Sequence, residues 1–399
     1  MHTTIFRTMM RHNQTVKILL YLGASLVLRF VVADRILAGS DGGWMRMGAI
    51  AVIFVVGIGF VFHGTARVIE ETTDVLKDRT GLAGGFLQAF GTAFPDMVIG
   101  IAAAIASWQA RNTDYARAVN LGIIAASTTF GSNIYNIAHA GWCVYRQNMA
   151  DLKRRIVPMI PRVAFGGSLT PLRDHAPPPR RAEMDGAIRI LTALTLLTAF
   201  AAVGMVLSGR VRAGASGIEG DLYQLVRPVG VVLMALCIGV LYRFRKSHRP
   251  ESPDPAIILG EKYYAGQPTV RLWADLLMSG GAILFAAESM VRAMEVFAHM
   301  AHLPYVVAGM AAGLIGCFGE MLVIHNFSVH PRGRIGDAIT GVAMDNIVTT
   351  MGAGIVAILG GIFLGSNALI LIFVVILAAN TVLIEQVSCL KNNLPADEG

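Results

Sequence analysis

Ten apolar runs, each long enough to cross a hydrocarbon core of about 30 Å, constrain this chain more than anything else in it. They fall near residues 16–37, 45–70, 81–107, 115–141, 187–208, 223–244, 270–297, 303–329, 335–361 and 366–388. In lipid every backbone polar group must be satisfied within its own segment, so runs of this length are expected as helices. With 54% hydrophobic and 15% charged residues among 399, and a mean hydropathy of +0.59, the sequence reads as an all-α integral membrane protein. The net charge of +7 raises the alternative of a nucleic-acid partner. The Lys and Arg residues flank apolar runs, however, and that pattern matches membrane orientation and no nucleic-acid partner.

Charge placement then orients the chain. The stretch 142–186 carries Arg146, Lys153, Arg154, Arg155, Arg162, Arg173, Arg180 and Arg181, and the linker 245–269 carries Arg245, Lys246, Arg249 and Lys262. Both are expected on the cytoplasmic side, together with the turn holding Arg332 and Arg334 and both termini. Pro177-Pro178-Pro179 and Ser252-Pro253-Asp254-Pro255 mark extended loops too poor in apolar residues for a core. The N-terminal run, preceded by Arg7, Arg11 and Lys17, is full-length for a span and reads as a retained helix. Cys143, Cys237, Cys317 and Cys389 have neither metal-site nor disulfide-framework spacing, and no cofactor is expected.

Polar residues inside the apolar runs carry the functional signal. Gly91-Thr92-Ala93-Phe94-Pro95-Asp96 places a helix breaker beside an acid in mid-segment. An intramembrane acid costs at least about 2.5–3.5 kcal/mol to insert, so it persists mainly where it faces a bundle interior or an ion path. A Pro-kinked helix with a neutral, hydrogen-bonded Asp96 is the structural alternative. About 225 positions later, Gly316-Cys317-Phe318-Gly319-Glu320 places a second acid in the same way, with Gly319 as the expected loosener. Each acid is followed by a helix with a polar centre, Gly131-Ser132-Asn133-Ile134-Tyr135-Asn136 and then Met344-Asp345-Asn346-Ile347-Val348-Thr349. Arg67 with Glu70, and Arg292 with Glu295, repeat at nearly the same offset. An odd number of helices separates the two copies, which makes them inverted repeats, an architecture in which interrupted helices meet at a midplane site. The expected organisation is an extra N-terminal helix (1–44), a first repeat (45–244, hairpin 81–141), a linker (245–269) and a second repeat (270–399, hairpin 303–361, last helix 366–388).

The two-part motif resembles the alpha-repeat of the cation/calcium exchanger superfamily, which reads G-T-S-x-P-E and then G-S-N-I-x-N; the likeness covers about residues 45–361, and the second copy is more diverged. The resemblance implies a secondary antiporter that exchanges calcium or a similar cation against sodium or protons by alternating access. It also implies inorganic cations as cargo and a cell-membrane location. By position, Asp96 and Glu320 would be the central acids, with Thr92, Ser132 and Asn136 as oxygen ligands from the first half; the matching second-half positions are Gly316, Cys317, Asp345 and Thr349. Asn133 and Asn346 match each other, and both ligation and interhelical hydrogen bonding account for them. Ala93, Cys317 and Thr349 depart from the pattern, and Asp345, one turn before Thr349, is expected to restore the lost charge. Asp96, Glu320 and Asp345 together would suit a divalent ion, or one of them would hold a proton because like charges raise each other's pKa. The ligand losses also admit a channel-like or non-transporting relative, or an antiporter for monovalent cations.

Three further readings concern polar residues outside the motif. His63, His139 and His325 are expected as interhelical hydrogen bonders, with proton relay or transition-metal binding as the alternative. Glu288, Arg292 and Glu295 are expected as an interfacial ion-pair cluster. Gly84, Gly85, Gly309 and Gly313 are expected at close helix contacts. An intramembrane enzyme would need a motif such as H-E-x-x-H or G-x-S-x-G, and neither occurs.

Overall fold

The computed structural model describes residues 14–39, 42–80, 86–153, 157, 181–211, 221–247, 263–329, 335–359 and 362–394. Arg7, Arg11, the Pro177–Pro179 run, the Ser252–Pro255 stretch, Arg332 and Arg334 lie outside these residues, as do the side chains of Glu70, Thr92, Pro95 and Asp96.

The helices follow the apolar runs. In chain order they are α1 (Gln14–Leu37), α2 (Gly43–Thr80), α3 (Phe86–Ala110), α4 (Tyr115–Lys153), α5 (Arg181–Ser208), α6 (Arg227–Ser247), α7 (Thr269–Met300), α8 (Tyr305–Val329), α9 (Ile335–Leu359) and α10 (Ser366–Asn392). Among the described residues, seven helical segments are long and apolar enough to cross a membrane. They divide by environment: 83% of the span in α9 is buried inside the protein, against 22–39% in the other six. α9 is therefore an inner helix, and α1, α5, α6 and α10 form a lipid-facing shell. Exposed Leu196, Leu207, Ile370 and Leu371 on that shell are what a hydrocarbon solvent requires.

Two expectations are corrected. First, α3 runs unbroken through Pro95 and α8 through Gly319, so the core helices are continuous rather than interrupted. A proline removes one backbone hydrogen bond, and packed neighbours in a membrane bundle can meet the group it frees. Second, α4 does not stop near residue 141 but continues to Lys153, so the first part of the expected loop is helix. At 39 residues it is about 58 Å long. Its last turns are polar yet buried, because Arg146 Nε donates to the Val157 carbonyl (2.7 Å) and Asn148 Nδ2 donates to Gln386 Oε1 of α10 (3.0 Å). Besides the helices, a three-stranded antiparallel sheet joins β1 (Arg210–Val211), β2 (Leu222–Gln224) and β3 (Phe363–Gly365), in that order. Strands this short carry no legible period-two pattern. The sheet lies at the α5–α6 and α9–α10 connections, where Leu222 and Phe363 pack on Val119 of α4.

The charged cluster on α7 reaches further than its own sequence neighbourhood. Arg29 of α1 bridges Asp34 (2.5 Å) and Glu288 of α7 (2.6 Å), while Arg292 of α7 pairs with Asp34 and lies 3.6 Å from Glu288. Two cations and two anions thus neutralise one another between α1 and α7. Arg29 and Asp34 lie five apart in a π-helical stretch, Leu28–Leu37, whose wider turn stacks i over i+5. Glu295 pairs instead with Arg117 of α4, at 2.6 and 2.9 Å. Arg29→Gln leaves two carboxylates short of their cation in a largely apolar setting. We expect it to cost about 2–4 kcal/mol, between exposed and fully buried pairs. Thermal unfolding in detergent checks this, and an unchanged midpoint would show that the network does not stabilise the fold.

Candidate functional site

The site is built where α4 meets α8 and α9. Gly309, Gly313 and Glu320 follow one another at intervals of four and seven, which places them on one face of α8. That face lies directly on α4. A Cβ at Gly309 would stand 1.9 Å from Ser127 Oγ and 2.8 Å from the Ile124 carbonyl; one at Gly313 would stand 2.6 Å from the Thr128 carbonyl and 2.8 Å from the Ser132 nitrogen. Small residues therefore bring the two backbones together, as anticipated for Gly309 and Gly313. Gly84 and Gly85 lie outside the described residues. On α9, Gly352 makes the same kind of room for Met97 of α3.

Close approach lets short polar side chains meet across the helices. Asn136 of α4 donates through Nδ2 to Glu320 Oε2 of α8. One turn earlier, Asn133 donates through Nδ2 to Thr350 Oγ of α9 at 3.3 Å. Thr350 in turn donates to the Asn346 carbonyl (2.7 Å), and Thr349 donates to the Asp345 carbonyl (2.9 Å). Ser132 donates to the Thr129 carbonyl of its own helix at 3.0 Å, which leaves the lone pairs of its hydroxyl oxygen. All of these residues are buried: Glu320 and Asp345 are each 6% exposed and Asn346 is 0% exposed.

Acceptors outnumber donors in this layer. The side-chain oxygens of Asn133, Asn136 and Asn346, and the amide nitrogen of Asn346 as well, have no hydrogen-bond partner among the described residues, so unpaired acceptors exceed unpaired donors by three to one. A buried polar atom left unpaired costs about 1–3 kcal/mol, so native proteins usually supply a water or an ion there. Amide oxygens, hydroxyls and carboxylates are the donor set of a hard cation. Glu320, Asn136, Asn133, Asn346, Asp345, Ser132 and Thr349 belong to three helices that pack on one another. Asn133 takes part in an interhelical hydrogen bond with Thr350, the hydrogen-bonding reading of it, while its side-chain oxygen has no partner among the described residues. Thr92 and Asp96 lie on α3, which packs against α4 and α9, but their side chains are not among the described ones. Among the described residues no three His, Cys, Asp or Glu side chains are placed to hold one metal ion, so a three-carboxylate group rests on Asp96.

Sequence reasoning overlooked Thr350, whose hydroxyl ties α9 to α4. Its signal was present: it lies four residues after Asn346, on the same helical face.

No protein-family model and no curated protein sequence matches the chain. Solved structures do. A crystal structure of the H+/Ca2+ exchanger CAX aligns over 97% of this chain and 90% of its own, at a TM-score of 0.58 and 14% identity. The sodium-calcium exchanger NCX_Mj aligns over 87% of this chain and 99% of its own, at a TM-score of 0.46 and 14% identity. Identity this low speaks for architecture alone, and the closely packed α4, α8 and α9 stand within an alignment that spans nearly the whole chain. This chain is a multi-pass, predominantly helical membrane protein with the fold of the H+/Ca2+ exchanger CAX.

Proposed function

We propose that the protein is a secondary antiporter that moves calcium or a similar hard cation against sodium or protons by alternating access. The observation that carries this reading is the buried layer in which Asn136 of α4 holds Glu320 of α8, while the side-chain oxygens of Asn133, Asn136 and Asn346 have no partner among the described residues. Such a layer has too many acceptors for a static core. It suits a cation that arrives, loses its water to amide and carboxylate oxygens, and leaves again. The exchanger fold supports the same reading.

In this account α2–α6 and the helices from α7 onward are inverted repeats. Asp96 and Thr92 of α3 complete the ligand set opposite Glu320, and Asp345 supplies the charge lost at Thr349. Both termini and the basic stretch after α4 lie in the cytoplasm. The second-half departures at Gly316 and Cys317 remove hydroxyl oxygens, and that at Thr349 a carboxylate, that several sodium ions would need, and this favours the proton as coupling ion.

The test is uptake of radiolabelled calcium into proteoliposomes under an imposed sodium gradient or an imposed pH gradient. Uptake driven by the pH gradient alone is the expected result. Sodium-driven uptake would keep the antiporter and replace its coupling ion, and absence of uptake under both gradients would overturn calcium antiport.

A further inference from the structure

The end of the bundle that carries the sheet holds two arginines, Arg111 and Arg227, that pair with no carboxylate among the described residues. Arg111 follows α3 directly, and Arg227 is the first residue of α6 and of its membrane span. β3 brings them together. The Arg111 guanidinium lies 5.9 Å from the centre of the Phe363 ring. Phe363 pairs with Gln224 of β2, and Leu225, two residues before Arg227, donates its N–H to the Ile362 carbonyl at 3.2 Å. Both arginines therefore border one short strand. Burial, and then the charge of Arg227, lower the Arg111 pKa from its ordinary value. Other basic side chains at this end are paired, Arg210 with Asp221 at 2.9 Å and Arg117 with Glu295 at 2.6 Å. Asp114, the acid nearest to Arg111 in the sequence, is engaged at the head of α4, where its Oδ1 accepts the Arg117 backbone N–H at 3.0 Å. Arg111 Nε is buried and has no hydrogen-bond partner among the described residues. A buried donor in that position calls for an acceptor. Exposed apolar side chains lead from both arginines into the span: Trp108, one turn before Arg111, and Val231 and Val232, one turn after Arg227.

We propose that Arg111 and Arg227 hold the phosphate of an anionic phospholipid, whose acyl chains lie along Trp108 and the first turns of α6. The planar, forked donors of a guanidinium match phosphate oxygens, and two of them can share one phosphodiester. The positive end of the α6 dipole, at Arg227, adds to their attraction. Tryptophan belongs at the headgroup level of a bilayer, which is where an arginine at the first residue of a span also stands. A headgroup with its own ammonium would bring a third cation to a site that already has two, so a lipid without one is favoured. A free phosphate meets the same donors but leaves Trp108 and the valines uncovered. The site lies outside the cation layer, and the inference needs the membrane fold but not antiport.

The experiment titrates the delipidated full chain, in a neutral detergent, with phosphatidylglycerol or phosphatidylcholine and counts the bound lipid by native mass spectrometry. Phosphatidylglycerol is expected to bind the wild-type protein about tenfold or more tightly than phosphatidylcholine, the worth of one charge-assisted contact. Arg111→Gln and Arg227→Gln should each weaken phosphatidylglycerol by a similar factor, and the double variant should no longer tell the two lipids apart. Arg210→Gln is the control, since it removes the same charge at the same end from a side chain already paired with Asp221. It should bind as the wild type does. Equal binding of the two lipids by the wild-type protein would overturn the site, and this comparison needs no variant to fold. Retained preference in the double variant, or an equal loss in Arg210→Gln, would overturn the assignment to Arg111 and Arg227. Inorganic phosphate added in competition is expected to displace the lipid only at far higher concentration; displacement at the lipid's own concentration would overturn the lipid as occupant.

Discussion

Glu320→Gln is expected to reduce cation exchange to background while leaving the helix bundle folded. The substitution is nearly isosteric, and the new side chain keeps an oxygen that accepts from Asn136 Nδ2, so the α4–α8 contact survives. It removes the charge. At a metal–oxygen distance of about 2.4 Å and an effective dielectric constant of about 20, a carboxylate attracts a divalent ion by roughly 14 kcal/mol before desolvation. The hydrogen bond at stake is worth about 1 kcal/mol. Binding therefore suffers by orders of magnitude and folding hardly at all. A neutral amide is also cheaper to bury at 6% exposure, so the thermal midpoint should stay level or rise. Asp96→Asn is expected to act in the same way. Wild-type uptake in either variant would remove that residue from the site.

The second large effect concerns contact rather than charge. Gly313→Leu is expected to disrupt the fold of the bundle, because even a Cβ at this position meets two backbone atoms of α4 at 2.6 and 2.8 Å. Backbone cannot rotate away as a side chain can. The helices must separate, and overpacking of this kind costs about 1–3 kcal/mol or more. Separation would also pull Glu320, two turns further along the same face, away from Asn136. Size-exclusion profiles in detergent and calcium exchange should both be lost. Gly23→Leu on α1 is the matched control, since a Cβ there meets nothing within 4 Å. Equal behaviour of the two variants would show that the α4–α8 approach does not hold the site together.

Most of the helical plan was legible in the sequence, because span length and apolarity are local properties. The expected run 366–388 corresponds to α10 (Ser366–Asn392), and 270–297 to α7 (Thr269–Met300). Reading failed where polar residues have a partner far along the chain. Arg146 and Asn148 look like loop because their polarity is visible and their shelter, Val157 and the α10 residue Gln386, is not. Arg29 and Asp34 passed without notice in an apolar run, since their partners Glu288 and Arg292 come about 260 positions later. Pro95 and Gly319 were expected to open their helices, but a packed bundle carries both within continuous ones.

The sequence by itself determined that the chain crosses a membrane many times and that its acids and amides recur in two related segments, because lipid permits few folds and exacts a high cost for each buried polar group. Only the tertiary structure decided which of those polar groups meet. Asn136 finds Glu320 and Asn133 finds Thr350 because glycines bring α8 against α4, and distances between helices are set by packing, which no single segment encodes.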